Sequence, residues 1–168
     1  MPIETIGIVG SLAPVFLDRK ATTKKNIKTI GRAADKGAHL VALGETLLPA
    51  YPLWLTRADA ARFESGIQKD LHALYLAQSV SIPDGHLSPI CRTADQRKIA
   101  VVPGIAERTA DRGNYTHCCS CVFIDADGQI ASVHHKLMPT YEERLRWGIG
   151  GSRGTPAPCY GESAGSGP

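Results

Sequence analysis

The chain has 168 residues, 43% hydrophobic and 21% charged, a balance that predicts a globular domain with a sizeable core. Its formal net charge of +3 is small and scattered, with no basic stripe carrying interleaved aromatic residues, so we expect no nucleic-acid partner. No apolar run approaches the roughly 18–20 residues that a membrane helix needs, and no secretory signal is visible, so we expect a cytoplasmic protein without a membrane partner.

The five cysteines predict neither a disulfide framework nor a metal site. An odd number without a secretory signal argues against disulfides. Cys118, Cys119 and Cys121 are the candidates for zinc, but in a strand Cys118 and Cys119 point to opposite faces, and no second Cys or His pair completes a tetrahedral set. We expect small buried hydrophobic residues, with no metal and no cofactor.

The first part of the chain alternates strand and helix. A short apolar run at residues 5–9 predicts a strand, and a helix follows that begins at Asp18 or Thr22 and stops at Gly37. Residues 39–43 form a second compact strand. This strand–helix–strand order predicts an α/β fold with a parallel pair and a right-handed crossover.

A carboxylate follows this second strand. Glu45 lies at its C-terminal end, which is where open α/β sheets bind ligands. Pro49 and Pro52 then break regular structure, while Tyr51 and Trp54 gather aromatic bulk beside Glu45. Two interpretations remain open for the aromatic residues: loop hydrophobes that pack down, or the wall of a pocket for an organic substrate.

The middle of the chain is predicted to cover and extend the sheet. Residues 57–80 have helical periodicity, and a second amphipathic helix begins at His86. Residues 99–102 form a buried strand, and the polar stretch 107–113 is predicted to be a loop.

A hairpin follows. Residues 116–124 and 129–135 flank Asp125-Ala126-Asp127-Gly128, a strong turn signal because glycine tolerates positive φ. The second strand leads directly to Lys136. We therefore expect Glu45 and Lys136, at two strand ends, to meet at one rim.

The connection after this strand carries Lys136 together with Glu142 and Glu143. One interpretation is a solvated salt-bridge loop. The other is a site in which the lysine orients a carbonyl-like substrate or stabilises a developing anion.

Three segments together resemble the nitrilase branch of the carbon–nitrogen hydrolases. They are Gly44-Glu45-Thr46, the following Tyr51-Pro52, and Lys136-Leu137-Met138-Pro139-Thr140-Tyr141-Glu142-Glu143-Arg144, and the resemblance runs from about residue 6 to residue 147. It implies an α-β-β-α sandwich of which this chain supplies the first half, about five strands and three helices. It also implies a homo-oligomeric family that acts on nitriles or amides.

The resemblance assigns roles to particular residues. In this family a cysteine thiolate attacks a nitrile carbon, and water then releases first ammonia and then the carboxylic acid. Glu45 matches the general base, Lys136 the residue that stabilises the tetrahedral intermediate, and Glu143 the second glutamate that orients the lysine or the water. Tyr51 and Trp54 would line the substrate pocket. His135 replaces an arginine that is usual before the lysine, and we expect a structural role for it.

The last 21 residues differ in composition. They hold seven of the 17 glycines, together with prolines and serines, and lack the Cys-Trp-Glu motif that the resemblance implies. We therefore divide the chain into a hydrolase half at residues 1–147 and an irregular, disordered tail at 148–168, with a frameshift as one hypothesis. Cys159 is a poor replacement nucleophile, because a glycine- and proline-rich tail cannot hold it in place.

Three functional hypotheses follow. The first is nitrile hydrolysis, with this chain inactive alone for want of its nucleophile. The second is a non-catalytic fragment, or a piece that pairs with another subunit. The third is an amidase or carbamoylase of the same superfamily.

Overall fold

A computed structural model of the chain describes residues 6–58, 62–109 and 116–150. Within these residues, three helices pack on one mixed six-stranded sheet. The strands are β1 (Gly7–Gly10), β2 (Leu40–Leu43), β3 (Ala100–Val102), β4 (Gly104–Arg108), β5 (His117–Ile124) and β6 (Ile130–His135). The helices are α1 (Arg19–Asp35), α2 (Gly66–Gln78) and α3 (Ser88–Arg97), and two 3-10 turns cover Leu53–Thr56 and Tyr141–Leu145. The α/β class is confirmed.

The sheet has a parallel half and an antiparallel half. β1 and β2 are parallel neighbours, as the strand–helix–strand pattern predicted, and β3 is parallel to β2 on its other side. β5 then pairs antiparallel with β4, where Ser120 is opposite Ile105, and with β6, where Ser120 is opposite His135. Because one residue pairs on both sides, β5 is the central strand of the antiparallel half.

The first helix begins and ends where its sequence predicts. The Asp18 side chain accepts a hydrogen bond from the Ala21 backbone N–H at 2.9 Å, which caps one of the free donors of the first turn. Gly37 follows the helix with φ of +78°, a conformation in which glycine carries no steric penalty. Thr22, the alternative cap, instead bonds the backbone of Val15.

The helix predicted over residues 57–80 is shorter in the structure. α2 begins only at Gly66, where the Ser65 hydroxyl caps the Gln68 N–H, and it ends at Gln78. Val80 has left the helix because its N–H donates to the Ala106 carbonyl of β4 at 2.8 Å. Tertiary pairing with the sheet therefore overrides the helical periodicity there. Residues 59–61 of the predicted helix lie outside the described residues.

The predicted loop at 107–113 is wrong in its first two residues. Glu107 and Arg108 belong to β4, opposite Cys118 and His117 of β5. The sequence misleads because Glu107 is a charged residue with only 8% of its surface exposed. Hydrogen bonds to its carboxylate permit this burial. β4 is the additional, sixth strand of the sheet, for which about five strands were expected. Residues 110–115 lie outside the described residues.

The hairpin between β5 and β6 has the predicted turn. The Gly128 N–H donates to the Asp125 carbonyl at 3.0 Å, and Gly128 has φ of +74°. A Cβ at Gly128 would also collide with the Cys91 carbonyl of α3, so glycine is required there on two grounds.

Two apolar clusters hold the elements together. The main core lies between the sheet and helices α1 and α3, and its fully buried members include Ile30, Val41, Ile90, Val101 and Ile124. A second cluster gathers Leu17, Trp54, Leu55, Tyr75 and Ala106 beside β4. None of the helices in the described ranges combines the length and the apolar character that crossing a membrane requires.

The division of the chain at residue 147 stays a prediction. The predicted tail at 148–168 lies outside the described residues from 151 onward, and Cys159 lies there too.

Candidate active site

Three predicted site residues converge although they are far apart in the sequence. Glu45 follows β2, Lys136 follows β6, and Glu143 lies in the second 3-10 turn. The Lys136 Nζ atom lies 3.0 Å from Glu45 Oε1 and 2.9 Å from Glu143 Oε2. The lysine therefore bridges two carboxylates, as the expectation of a common rim requires.

Close backbone packing fixes the loop that carries Glu45. A Cβ added to Gly104 of β4 would lie 2.8 Å from Glu45 Cα and 2.9 Å from Thr46 N, so only glycine allows this approach. The Ala106 N–H also donates to the Leu48 carbonyl at 2.7 Å. Glu45 thus has a rigid backbone below it, while half of its side-chain surface remains exposed.

Glu143 is a buried carboxylate whose oxygens have several donors. The Thr140 N–H and hydroxyl donate to Oε2 at 2.7 and 3.0 Å, and the Tyr51 hydroxyl donates to Oε1 at 3.1 Å. Burial alone would raise the pKa of Glu143, but the hydrogen bonds from Thr140 and Lys136 outweigh burial and lower its pKa below the ordinary value. Glu143 is therefore ionised at neutral pH.

Lys136 is a permanent cation in this setting. Burial would lower its pKa, but the hydrogen bonds and charges of Glu143 and Glu45 raise its pKa above the ordinary value. The Trp147 ring lies 5.7 Å from Nζ and adds a cation–π contact. A lysine that keeps its proton cannot act as a base, but it is suited to stabilise a developing negative charge.

Cys119 is a member of this site that the sequence analysis did not identify. Its Sγ atom lies 3.5 Å from Glu45 Oε1, and burial, reinforced by the charge of Glu45, raises the pKa of the thiol to about 12. The sequence predicted only a small buried residue. The sequence offered one signal: Cys119 lies in the predicted hairpin strand that pairs with the strand leading to Lys136. In the structure, the Lys136 N–H donates to the Cys119 carbonyl.

The two aromatic candidates separate in the structure. Tyr51 is half-buried, its ring packs edge-on against Trp147 at 5.6 Å, and its hydroxyl bonds Glu143. Burial and the neighbouring Glu143 raise the pKa of Tyr51 to about 12, so it keeps its proton and donates at neutral pH. Trp54 is 5% exposed and packs against Tyr75 at 5.0 Å in the second cluster. The structure therefore brings Tyr51, but not Trp54, to the charged group.

A cavity of about 470 Å³ opens beside the lysine. Its lining is mainly apolar and includes Glu45, Cys119, Cys121, His134, Lys136 and Leu137. Such a cavity admits a small organic molecule with one polar, polarisable group. Across the described ranges, no three His, Cys, Asp or Glu side chains are arranged to hold a metal ion.

Comparison with known proteins identifies the family of this chain. The carbon-nitrogen hydrolase family model matches residues 5–161. The chain is 35% identical over 150 residues to Nitrilase 2 from an unknown prokaryotic organism, covering 89% of this chain and 46% of that protein. It is 36% identical over 140 residues to an arylacetonitrilase of Aspergillus niger, covering 83% of this chain and 38% of the relative.

A solved structure has the same fold. The crystal structure of an amidase from Nesterenkonia sp. superposes with a TM-score of 0.63 at 16% identity, covering 88% of this chain and 49% of that one. The chain belongs to the carbon–nitrogen hydrolase family, and the predicted family is confirmed. It spans less than half the length of the two curated relatives.

Proposed function

We propose that this chain contributes the acid–base groups of a site that hydrolyses nitriles to carboxylic acids and ammonia. The observation that carries the proposal is the Lys136 ammonium held between Glu45 at 3.0 Å and Glu143 at 2.9 Å at the side of an apolar cavity. The nitrilases among its relatives support a nitrile as the substrate. The cavity volume of about 470 Å³ supports a small organic molecule as the substrate.

Each residue has a role that its environment suits. Glu45, the more exposed carboxylate, takes a proton from a thiol as sulfur bonds to the nitrile carbon, and returns it to the nitrogen of the resulting thioimidate. Lys136 stabilises negative charge on that nitrogen and later on the oxygen of the tetrahedral intermediate. Glu143 orients the lysine. A first water releases ammonia and leaves a thioester, and a second water releases the carboxylic acid and regenerates the thiol.

We propose further that the nucleophilic thiol is none of the five cysteines of this chain. Cys119 touches Glu45, but a buried thiol with a pKa of about 12 supplies almost no thiolate at neutral pH. The described residues would then bind and polarise a nitrile without turning it over, which agrees with the expectation that the chain is inactive alone.

An assay with an added nucleophile tests this proposal. Ammonia release is measured for a panel of aliphatic, aromatic and arylacetic nitriles, and for the matching amides, with and without a small soluble thiol. We expect release only with the thiol, and loss of this release in Glu45→Gln and Lys136→Met. Cys91→Ala, which changes a half-buried thiol of α3, is the matched control and is expected to behave as the unmodified chain.

The outcomes separate the hypotheses. Release from amides but not from nitriles would replace the nitrilase assignment with the amidase or carbamoylase alternative. Release without added thiol, abolished by Cys159→Ala, would contradict the proposal about the nucleophile. No release in any arm would favour the non-catalytic fragment or subunit-pairing alternative.

A further inference from the structure

A second buried carboxylate joins three adjacent strands below the site. Glu107 of β4 accepts a hydrogen bond on Oε2 from the Ser120 hydroxyl of β5 at 2.7 Å, and the same oxygen lies 3.0 Å from Nε2 of His135 on β6. Only 10% of the Glu107 side chain and 22% of the His135 side chain are exposed. A buried carboxylate is costly unless donors satisfy it, so both donors are needed.

The order of these three groups excludes a hydrolytic relay. In a serine hydrolase the histidine lies between the hydroxyl and the carboxylate, where it can take the serine proton. Here Glu107 lies between Ser120 and His135, and both donate to it. The cluster is therefore a connection between strands.

The position of this connection matters because His135 directly precedes Lys136. His135 is the last residue of β6 and pairs with Ser120, and the next residue, Lys136, still donates its N–H to the Cys119 carbonyl at 2.8 Å. Since side chains alternate along a strand, His135 points to the face of Glu107, and Lys136 points to the opposite face, toward Glu45. The His135 side chain therefore adds to the backbone bonds of Lys136, with Cys119 and Gly150, that set where the lysine leaves the sheet.

We propose that Glu107 and His135 are positioning residues that hold the end of β6 so that Lys136 reaches both carboxylates. Neither touches the cavity. Arg108, the charged neighbour of Glu107 in β4, pairs with Asp84 at 3.1 Å and so leaves His135 as the partner of the buried carboxylate. The inference rests on the proposed function for its catalytic meaning, but the positional effect stands on the geometry alone.

The chemical reactivity of Lys136 tests the positioning without any turnover. The native 168-residue chain is treated briefly with acetic anhydride at fixed pH, and the acetylation rate of Lys136 is measured by peptide mass spectrometry. We expect His135→Ala to raise this rate about tenfold, which corresponds to ~1.4 kcal/mol, because an unanchored lysine leaves its two carboxylates more often. His135→Gln places a neutral amide donor near the same point and is expected to keep the original rate.

A matched control separates positioning from general loss of stability. Val133→Ala removes packing from the same strand, where Val133 contacts the main core, but it leaves Glu107 untouched. We expect it to lower the melting temperature and leave the Lys136 rate unchanged. An unchanged rate in His135→Ala, or an equal rise in Val133→Ala, would overturn the proposal.

The labelling result is independent of the ammonia assay. If the thiol-supplemented chain fails to release ammonia, the proposed function fails while the labelling experiment still decides the positioning. If it does release ammonia, His135→Ala should lower kcat and leave KM nearly unchanged, because the pair acts on the charged lysine and not on the apolar residues that line the cavity.

Discussion

Removal of the bridging lysine is the sharpest test of the charged group. In Lys136→Met the long apolar side chain is kept while Glu45 and Glu143 lose their shared cation. Glu143 is the sensitive partner, because only 6% of its side chain is exposed, whereas half of Glu45 is in solvent. The substitution therefore leaves one buried carboxylate without its counter-charge.

The magnitude follows from what remains around Glu143. Breaking a buried ion pair costs about 3–5 kcal/mol when the remaining charge is left without partners. Here Thr140 and Tyr51 still donate three hydrogen bonds to the carboxylate, which reduces the penalty. The exposed bond to Glu45 adds about 0–1 kcal/mol. We expect the free energy of unfolding to fall by ~2–3 kcal/mol at pH 7.

The pH dependence has a definite sign. In the folded chain the pKa of Glu143 lies below the ordinary value of 4.5. The ionised Glu143 carboxylate therefore stabilises the folded chain fully above pH 4.5, and this stabilisation is lost as the pH falls through the folded pKa. In Lys136→Met the pKa of Glu143 rises, so the carboxylate takes up a proton at higher pH and the penalty is relieved. The difference in stability between the two chains should therefore shrink as the pH falls toward about 4.

Urea denaturation followed by tryptophan fluorescence measures this difference at pH 7 and near pH 4. Lys98→Met is the matched control, because Lys98 also bridges two carboxylates, Asp95 and Asp127, but at the surface. We expect the control to leave the unfolding free energy almost unchanged at both pH values. A loss in Lys136→Met no larger than that of the control, or a loss that does not diminish in acid, would refute the reasoning.

Three further substitutions or reactions probe the neighbours of the lysine. Tyr51→Phe removes one hydrogen-bond donor from the buried Glu143 carboxylate and should lower the unfolding free energy, measured in urea titrations, by ~1 kcal/mol. The pKa of Glu143, measured by NMR, should rise, and an unchanged pKa would contradict the hydrogen bond. Gly104→Ala places a methyl group within 2.8 Å of Glu45 Cα and should lower the free energy of unfolding, measured by thermal unfolding, by about 1–3 kcal/mol or more. An unchanged stability would contradict this close approach. Cys119, with a pKa of about 12, should react with iodoacetamide at pH 8 at least about 100-fold more slowly than in the urea-unfolded chain, whereas fast native alkylation would show a thiolate beside the site.

Much of the fold follows from local chemistry that the sequence displays. Asp18 and Gly37 mark the first helix, because a carboxylate caps free N–H groups and glycine accepts positive φ. Gly128 marks the hairpin turn for the same conformational reason. The placement of Glu45 and Lys136 after strands was also predictable, since an apolar run ends at Leu43 and the second strand of the hairpin leads directly to Lys136.

The errors share one cause, which is that burial depends on distant partners. Glu107 has the composition of a loop residue, yet Ser120 and His135 supply the donors that allow it to lie inside the sheet. The periodicity over residues 57–80 indicated one long helix, yet the helix begins only at Gly66, and pairing of Val80 with β4 keeps that last predicted residue out of it. The partners of Glu107 and of Val80 are distant in the sequence, so a window of neighbouring residues does not contain them.

By itself, the sequence determined the family, the α/β class and the residues to examine, because motifs, caps and turns depend on neighbours along the chain. Only the tertiary structure decided which side chains meet. Lys136 reaches Glu45 across 91 positions, and Cys119 reaches the same carboxylate across 74. Strand pairing sets such contacts, since the register of β5 and β6 determines which residues share a face and which ends share a rim.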